Sequence, residues 1–235
     1  MGDVIVGIHQ PNFFPWFGYF LKIARSDEFV FLDDAQISNS SSYVNRTSIN
    51  INGKAKWLTV PIQRAHGRQT INKTKYLDTS WRIKVIKTLK MNYGTSQHYN
   101  ENEEFIHKLI NYSSNCISEF NIFIISEICK VLDLSTSLCS ASAFSIKNTS
   151  TERLIAIVKS LNGNIYLSGS GGDKYQDIDL FETNFIKVQY NLFSHPMYNQ
   201  AKTNTFITGL SILDFIFNIG IKNTKLLLNN SLLYN

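Results

Sequence analysis

The sequence predicts an α/β protein built on a mainly parallel sheet, and two observations support this class. Near the start, residues 4–8 and 29–32 are short apolar runs, and residues 16–25 between them carry apolar side chains at helical spacing. A strand, a helix and a strand within about 30 residues form a βαβ unit, whose strands are parallel and whose crossover is right-handed. The alternation returns after residue 163, with strands predicted over 164–167 and 185–193.

The first strand is a continuous β-branched run, which is typical of a strand covered on both faces. His9 follows this strand, and Asp33-Asp34 ends the second one. Pro11 favours an extended conformation for the residue before it, so the strand leads directly into a loop. Because ligands of parallel α/β sheets bind outside the carboxyl ends of the strands, we expect His9 and the acidic pair to share one edge.

The middle of the chain predicts a hairpin and then helices. Asn52-Gly53 is a strong turn signal, with hairpin arms over 47–51 and 56–62. Thr149 and Glu152 have the spacing of a capping box at the start of a helix. The remaining predictions are four helices over 78–92, 101–112, 121–132 and 149–161, a helix over 211–219 closed by Gly220, and an irregular end. We expect one domain over residues 1–235, with a helical insertion at about 78–147.

The composition favours a small anionic partner over nucleic acid. The net charge is +5, which suits a nucleotide or a nucleotide-sugar. The densest basic group lies on one predicted helix without interleaved aromatics, which indicates a solvated helix face rather than a nucleic-acid surface; it comprises Arg82, Lys84, Lys87 and Lys90. No stretch has the roughly 18 uncharged apolar residues of a membrane span.

The three cysteines are odd in number and lack metal-ligand spacing, which predicts reduced thiols in a cytoplasmic protein: Cys116, Cys129 and Cys139. The start of the chain also lacks the pattern of a signal peptide. The five histidines form no zinc set, and no serine or cysteine nucleophile is paired with a base by sequence.

His9, Asp33 and Asp34 are the candidate catalytic residues. An imidazole titrates near working pH, so His9 could act as a general base or bind phosphate; the alternative is a satisfied structural histidine. Neighbouring strand residues point to opposite faces, so one carboxylate of the acidic pair could position an amine or hold Mg²⁺. An exposed strand end is the alternative for this pair.

Further polar residues are candidates for binding substrate. Arg46, after Asn45, is suited to clamp a phosphate or carboxylate, although a plain surface arginine fits too. The stretch SGSGG at 168–172 follows a strand, and its backbone N–H groups could cradle an anion. It matches neither phosphate-binding fingerprint, so a flexible turn stays open. A third group joins the same edge only if strand 185–193 is parallel to the first: His195, Tyr198 and Gln200.

Several blocks occur in the same order as in the WbqC-like family, which the chain resembles from residue 5 to 220: HQPNFFPWFGYFLKI, DEFVFLDDAQ, NR, WLTVPI, ERLI, IYLSGSGGDKY, HPMYNQ and LSILDFIFNIG. The family is associated with bacterial O-antigen and other surface-polysaccharide clusters, and one member has been suggested to transfer glycine onto an amino sugar. The resemblance adds Gln10, Trp57 and Tyr175 to the site. Tyr43 departs from the family, whose members commonly have Trp before the Asn-Arg pair.

The opening unit is also remotely similar to the HUP-type nucleotide-binding fold, in which a His-containing loop after the first strand lies against nucleotide phosphates. The HxGH motif is absent, since Gln10-Pro11-Asn12 follows His9. This fold-level analogy implies a Rossmann-like sheet and allows an ATP-dependent ligase or nucleotidyl transferase that uses ATP with Mg²⁺.

The resemblance implies an acyl or aminoacyl transferase, glycyl transfer included, that acts on a nucleotide-linked amino sugar in surface-polysaccharide biosynthesis. A non-catalytic nucleotide-sugar binding module is a further alternative. The sequence names neither the donor, the sugar nor the oligomeric state. The expected substrate-binding residues are Gln10, Asn45, Arg46, Trp57, Gly169, Gly171, Gly172, Tyr175, His195, Tyr198 and Gln200.

Overall fold

The computed structural model of the chain describes residues 2–38, 42–63, 69–169 and 176–233. The strands are β1 (Ile5–His9), β2 (Glu28–Phe31), β3 (Arg46–Ile51), β4 (Lys54–Thr59), β5 (Ser137–Ser140), β6 (Ile165–Ser168) and β7 (Lys187–Tyr190). The α-helices are α1 (Phe17–Ala24), α2 (Trp81–Tyr93), α3 (Tyr99–Ile110), α4 (Ile117–Val131), α5 (Ser150–Ser160), α6 (Ile178–Thr183) and α7 (Ile212–Leu233). No helix in the described ranges is both long and apolar enough to cross a bilayer.

Five strands form a parallel sheet in the order β5-β2-β1-β6-β7, which confirms the α/β class. From β1 the chain moves outward through β2 to β5, and then returns to β6 on the other side of β1. The strand order therefore reverses between β1 and β6. In open parallel sheets such a reversal opens a crevice at the carboxyl ends of the two strands, where ligands bind. The arrangement is consistent with a Rossmann-like sheet.

Helices cover both faces of this sheet, which is why its central strands read as continuous apolar runs. On one face, Phe29 and Phe31 belong to a large core with side chains from α1, α4 and α7. On the other face, Val6 and Ile8 pack in a second core with side chains from α5 and α6. The sheet thus holds the ends of β1 and β6 between two packed layers.

The predicted hairpin is confirmed as β3 and β4, which form a separate two-stranded sheet. Its turn residue Asn52 has a φ of 51° and Gly53 a φ of 76°, as a primed two-residue turn requires. Two elements were missed. Strand β5 lies inside the predicted helical insertion, so the helices of this region end at α4; its Ser-Leu-Cys-Ser sequence has no β-branched residue. Helix α6 is short, and the sequence analysis assigned no element to its residues.

The start of α5 differs from the sequence prediction. Thr149 is the N-cap residue, but its side chain makes no capping hydrogen bond. Glu152 instead accepts a hydrogen bond from Asn148 Nδ2 at 3.3 Å. The capping-box prediction was therefore wrong, because Ser150, which follows Thr149, has a φ of 50° rather than a helical value.

The prediction of an irregular chain end was also wrong, since α7 continues to Leu233. Gly220, which we predicted to close the helix, lies in its interior with φ 79° and ψ 163°. This backbone conformation is almost restricted to glycine, and it breaks α7 into two segments without ending it. A Cβ at this position would lie 2.9 Å from Nδ1 of His98.

We expect Gly220→Ala to lower the free energy of unfolding by about 2–4 kcal/mol, because it combines backbone strain with a contact against His98. Gly209→Ala is the matched control. Gly209 also has a positive φ, of 71°, but a Cβ there would meet no atom within 4 Å. The control is expected to lose only about 1 kcal/mol. Urea unfolding of both variants checks this, and equal losses would show that the His98 contact is unimportant.

Candidate functional site

His9 is the last residue of β1, at the crevice where the strand order reverses. Its imidazole packs edge-on against two rings, at centroid distances of 5.0 Å to Tyr19 and 6.0 Å to Trp16. The Tyr19 hydroxyl donates to the Gln10 carbonyl at 2.9 Å, and His9 Nδ1 lies 3.2 Å from the same oxygen. The backbone carbonyl of Gln10 therefore holds both rings in place at the strand end.

The pKa of His9 is lowered from its ordinary value to about 3, first by burial and then by the positive charge of Lys22. His9 is consequently a neutral imidazole at pH 7, which offers one donor and one acceptor. A neutral ring with so low a pKa accepts a proton well only when a bound anion raises that pKa. The structure therefore couples any role of His9 as a base to the arrival of a negatively charged ligand.

Lys22 is a residue of this region that the sequence prediction missed. Its side chain is buried, and its Nζ donates to the Ile8 carbonyl at 2.7 Å. Burial lowers its pKa from 10.5 to about 7. The available signal was α1 itself, because a helix that is apolar on nearly every side is enclosed by protein, and a lone lysine in it must be enclosed too.

A row of aromatic rings leads from His9 to the hairpin. Trp16 contacts Tyr43 at a centroid distance of 5.6 Å, and Tyr43 contacts Trp57 at 5.3 Å. The guanidinium of Arg46 lies 4.3 Å from the centre of the Trp57 ring. We call these four residues the aromatic–arginine wall. Tyr43 and Trp57 are 45% and 47% exposed, so two of its rings are free to stack on a ligand.

Arg46 is the cation of this wall. Within the described residues it forms no ion pair, and its buried Nε has no hydrogen-bond partner. A guanidinium that forms no ion pair and has an unpaired Nε beside exposed aromatic rings is suited to bind a phosphate or carboxylate through paired N–H groups. Tyr43 contacts both Trp16 and Trp57 and so keeps the wall continuous.

Asn121, on α4, holds the wall against the loop that follows β1. Its Nδ2 donates to the Pro11 carbonyl at 2.9 Å and to the Val44 carbonyl at 2.7 Å. The Asn45 side chain donates to the Val60 carbonyl at 3.0 Å, and this bond joins the two ends of the hairpin. The side-chain amides of Asn121 and Asn45 therefore help to fix the position of the wall, in addition to the hairpin that carries Arg46 and Trp57.

The structure does not bring the acidic pair into contact with His9. Asp33 is buried and accepts from the Ser142 backbone N–H at 3.0 Å and from its hydroxyl at 2.6 Å. Asp34 forms an ion pair with Arg153 of α5. These bonds tie the end of β2 to the segment after β5 and to α5. A catalytic role for either carboxylate stays a prediction.

Strand β7 is parallel to β6, which meets the condition set for His195, and the loop after β7 packs against α1 and α7. His195 Nε2 accepts from the Gly209 backbone N–H at 3.2 Å. Tyr198 and Gln200 both donate to Oδ2 of the fully buried Asp214 in α7, at 2.6 and 3.2 Å. Burial raises the pKa of Asp214. The sequence prediction missed Asp214, which anchors this loop.

Gly169 follows β6 at the other side of the crevice, and a Cβ there would meet no atom of the described residues within 4 Å. Three predicted binding residues lie outside the described residues: Gly171, Gly172 and Tyr175. In the described part of the chain, no group of three His, Cys, Asp or Glu residues could hold a metal ion.

These features define a parallel α/β protein whose candidate ligand site combines a neutral imidazole with an aromatic, arginine-bearing wall at the reversal of strand order. The profile of the WbqC-like protein family matches residues 10–226. The chain belongs to this family. It is also 30% identical over 219 residues to the uncharacterized protein Rv1507c of Mycobacterium tuberculosis (strain ATCC 25618 / H37Rv), covering 92% of this chain and 94% of that protein. No solved structure matched the chain.

The lowered pKa of His9 predicts a pH dependence of stability. The unfolded chain binds a proton at His9 near pH 6.5, whereas the folded chain does so only near pH 3. The free energy of unfolding should therefore fall as pH drops below 6.5, by up to about 1.4 kcal/mol per pH unit from this residue.

His9→Gln should flatten this slope between pH 5 and 6.5, as measured by urea unfolding. Lys87→Gln, which removes a charge on the exposed face of α2, is the control and should keep the wild-type slope. An unchanged slope in His9→Gln would mean that the imidazole is not held neutral by the fold.

Proposed function

We propose that this protein is a cytoplasmic acyl or aminoacyl transferase, glycyl transfer included, that acts on a nucleotide-linked amino sugar in bacterial surface-polysaccharide biosynthesis. The observation that carries the proposal is the aromatic–arginine wall beside a neutral imidazole at the reversal of strand order. Membership of the WbqC-like family supports the same substrate class, because the family is associated with O-antigen clusters. The acyl donor is left open.

The wall supplies the binding half of this function. The exposed rings of Tyr43 and Trp57 can stack on a sugar or a base, whose apolar faces they would remove from water. Arg46 can pair with an anionic oxygen of the nucleotide, since its Nε lacks a partner in the protein. The row of rings ends at His9, so a ligand lying along the wall reaches the end of β1.

The transfer step needs a group that removes a proton. The sugar amine attacks the acyl carbonyl, the new C–N bond forms, and the leaving group departs with the electron pair of the bond that breaks. The amine proton passes to His9, which is neutral in the free protein and becomes more basic when a phosphate of the substrate lies nearby. Because the pKa of His9 is low in the free protein, His9 would accept a proton only when the substrate is bound.

A second candidate, an ATP-dependent ligase or nucleotidyl transferase, is favoured by one observation. A histidine at the end of the first strand of a sheet with reversed strand order is the arrangement that the HUP analogy implies. This candidate requires ATP with Mg²⁺ and release of pyrophosphate or phosphate. A binding module without catalysis would use the same wall and would need no proton acceptor.

We expect Arg46→Lys to weaken binding of UDP- or dTDP-linked amino sugars about tenfold or more, because lysine cannot form the paired contact of a guanidinium. Trp57→Ala should cause a loss of similar size by removing a stacking ring. Lys54→Ala, at an exposed position of the same hairpin, should bind as the wild type does. Isothermal titration calorimetry measures all three, and wild-type affinity in Arg46→Lys would reject the wall as the binding site.

His9→Gln separates an enzyme from a binding module. In a transferase it should lower turnover about 10²- to 10⁴-fold and leave nucleotide-sugar affinity within a few fold, because general-base catalysis contributes on that scale. Turnover is followed by mass spectrometry of the acylated sugar with candidate acyl donors. Stabilisation of the wild type by ATP with Mg²⁺ alone, together with pyrophosphate release, would favour the ligase.

A further inference from the structure

The backbone hydrogen-bond ladder between β1 and β6 stops before the carboxyl end of either strand. Its last paired residues are Gly7 and Leu167. Carbonyls of successive residues along β1 point alternately to its two neighbours: the carbonyl of Val4, just before β1, accepts from the Ile165 N–H of β6, and the His9 carbonyl accepts from Leu32 after β2. By this alternation the Ile8 carbonyl points toward β6, at the level where the two strands have parted.

The Lys22 ammonium occupies this opening. The Ile8 carbonyl, which would have accepted a ladder hydrogen bond, accepts from Lys22 Nζ at 2.7 Å. Only 3% of Lys22 is exposed, and within the described residues no carboxylate lies within ion-pair distance of it. A lysine amine that lacks an anionic partner among the described residues is therefore buried at the carboxyl ends of β1 and β6.

A buried, unpaired ammonium is costly, because a neutral carbonyl replaces only part of its lost hydration. An ammonium has three N–H donors, and one is used by the Ile8 carbonyl. Gly169, on the β6 side, has no side chain, and among the described residues no atom lies within 4 Å of where a Cβ would be. A compact anion would supply the missing counter-charge, and lysine is a common partner of phosphate groups.

We infer that Lys22 is an anion-binding residue of the crevice between β1 and β6, where its ammonium takes a phosphoryl oxygen of the ligand. The inference rests on the proposed function only for the identity of the phosphoryl group as part of a nucleotide. It places the phosphate beside His9 and at one end of the row of rings. Arg46, at the other end of that row, then binds a different part of the ligand.

Pyrophosphate is the probe that tests this inference, because it carries the phosphoryl group without sugar or base. Calorimetry should show binding to the wild type and an affinity about ten- to hundredfold lower for Lys22→Met, which loses a charge-assisted hydrogen bond. Lys222→Met removes an exposed lysine of α7 and should bind pyrophosphate as the wild type does. No binding to the wild type, or equal binding by Lys22→Met, would overturn the inference.

Methionine keeps the length and the apolar body of the lysine side chain, so Lys22→Met is expected to fold, which circular dichroism checks. A measurement on the wild type covers the case in which it does not. The ¹³Cε signal of Lys22, assigned as the one missing from Lys22→Arg, should shift on addition of pyrophosphate. A signal that stays in place at saturating pyrophosphate would also overturn the inference.

The two proposals fail separately. If nucleotide-sugars are neither bound nor acylated but pyrophosphate binding depends on Lys22, the proposed transferase is wrong and the anion site stands. If acylation proceeds normally in Lys22→Met, the transferase stands and the anion site is wrong.

Discussion

The parting of β1 from β6 is the constraint on which the rest of the candidate site depends. While the ladder lasts, β1 pairs with β2 on one side and with β6 on the other. Once it ends after Gly7, the next carbonyl needs a donor from elsewhere, and Lys22 supplies it. A charge is thereby placed where the topology opens a crevice, and that charge in turn helps to keep His9 neutral. The strand topology thus determines where Lys22 lies, and Lys22 in turn affects the pKa of His9.

Much of the fold could be predicted from the sequence because strong local signals carried it. The βαβ unit, the Asn-Gly hairpin and the strand after residue 163 all have clear periodicity or turn residues, and each is confirmed. Strand β5 lacks such a signal, since it is an edge strand and partners only β2. The second half of α7 was missed because a glycine normally ends a helix, whereas here the chain resumes its helix after one residue in an unusual conformation.

The site was predictable in position and less so in composition. Parallel topology places His9 at the carboxyl edge of the sheet. It does not predict that Asp33 accepts hydrogen bonds from Ser142, or that Tyr198 and Gln200 donate to Asp214. Those partners are more than ten residues away along the chain, and only the folded structure brings them together. Lys22 shows the converse case: its importance comes from a backbone carbonyl that lost its partner, which no side-chain pattern records.

The Asn121 amide has a consequence for the order in which the protein assembles. It joins Pro11 and Val44 to α4, although Asn121 lies 110 and 77 residues further along the chain from them. Such distant contacts close large loops, which is slow and happens late in folding. During synthesis the βαβ unit can form early, but its rings stay unaligned until α4 has emerged and docked. A nascent or truncated chain that ends before α4 would therefore contain the histidine, the arginine and all the rings of the wall, and still lack a binding surface.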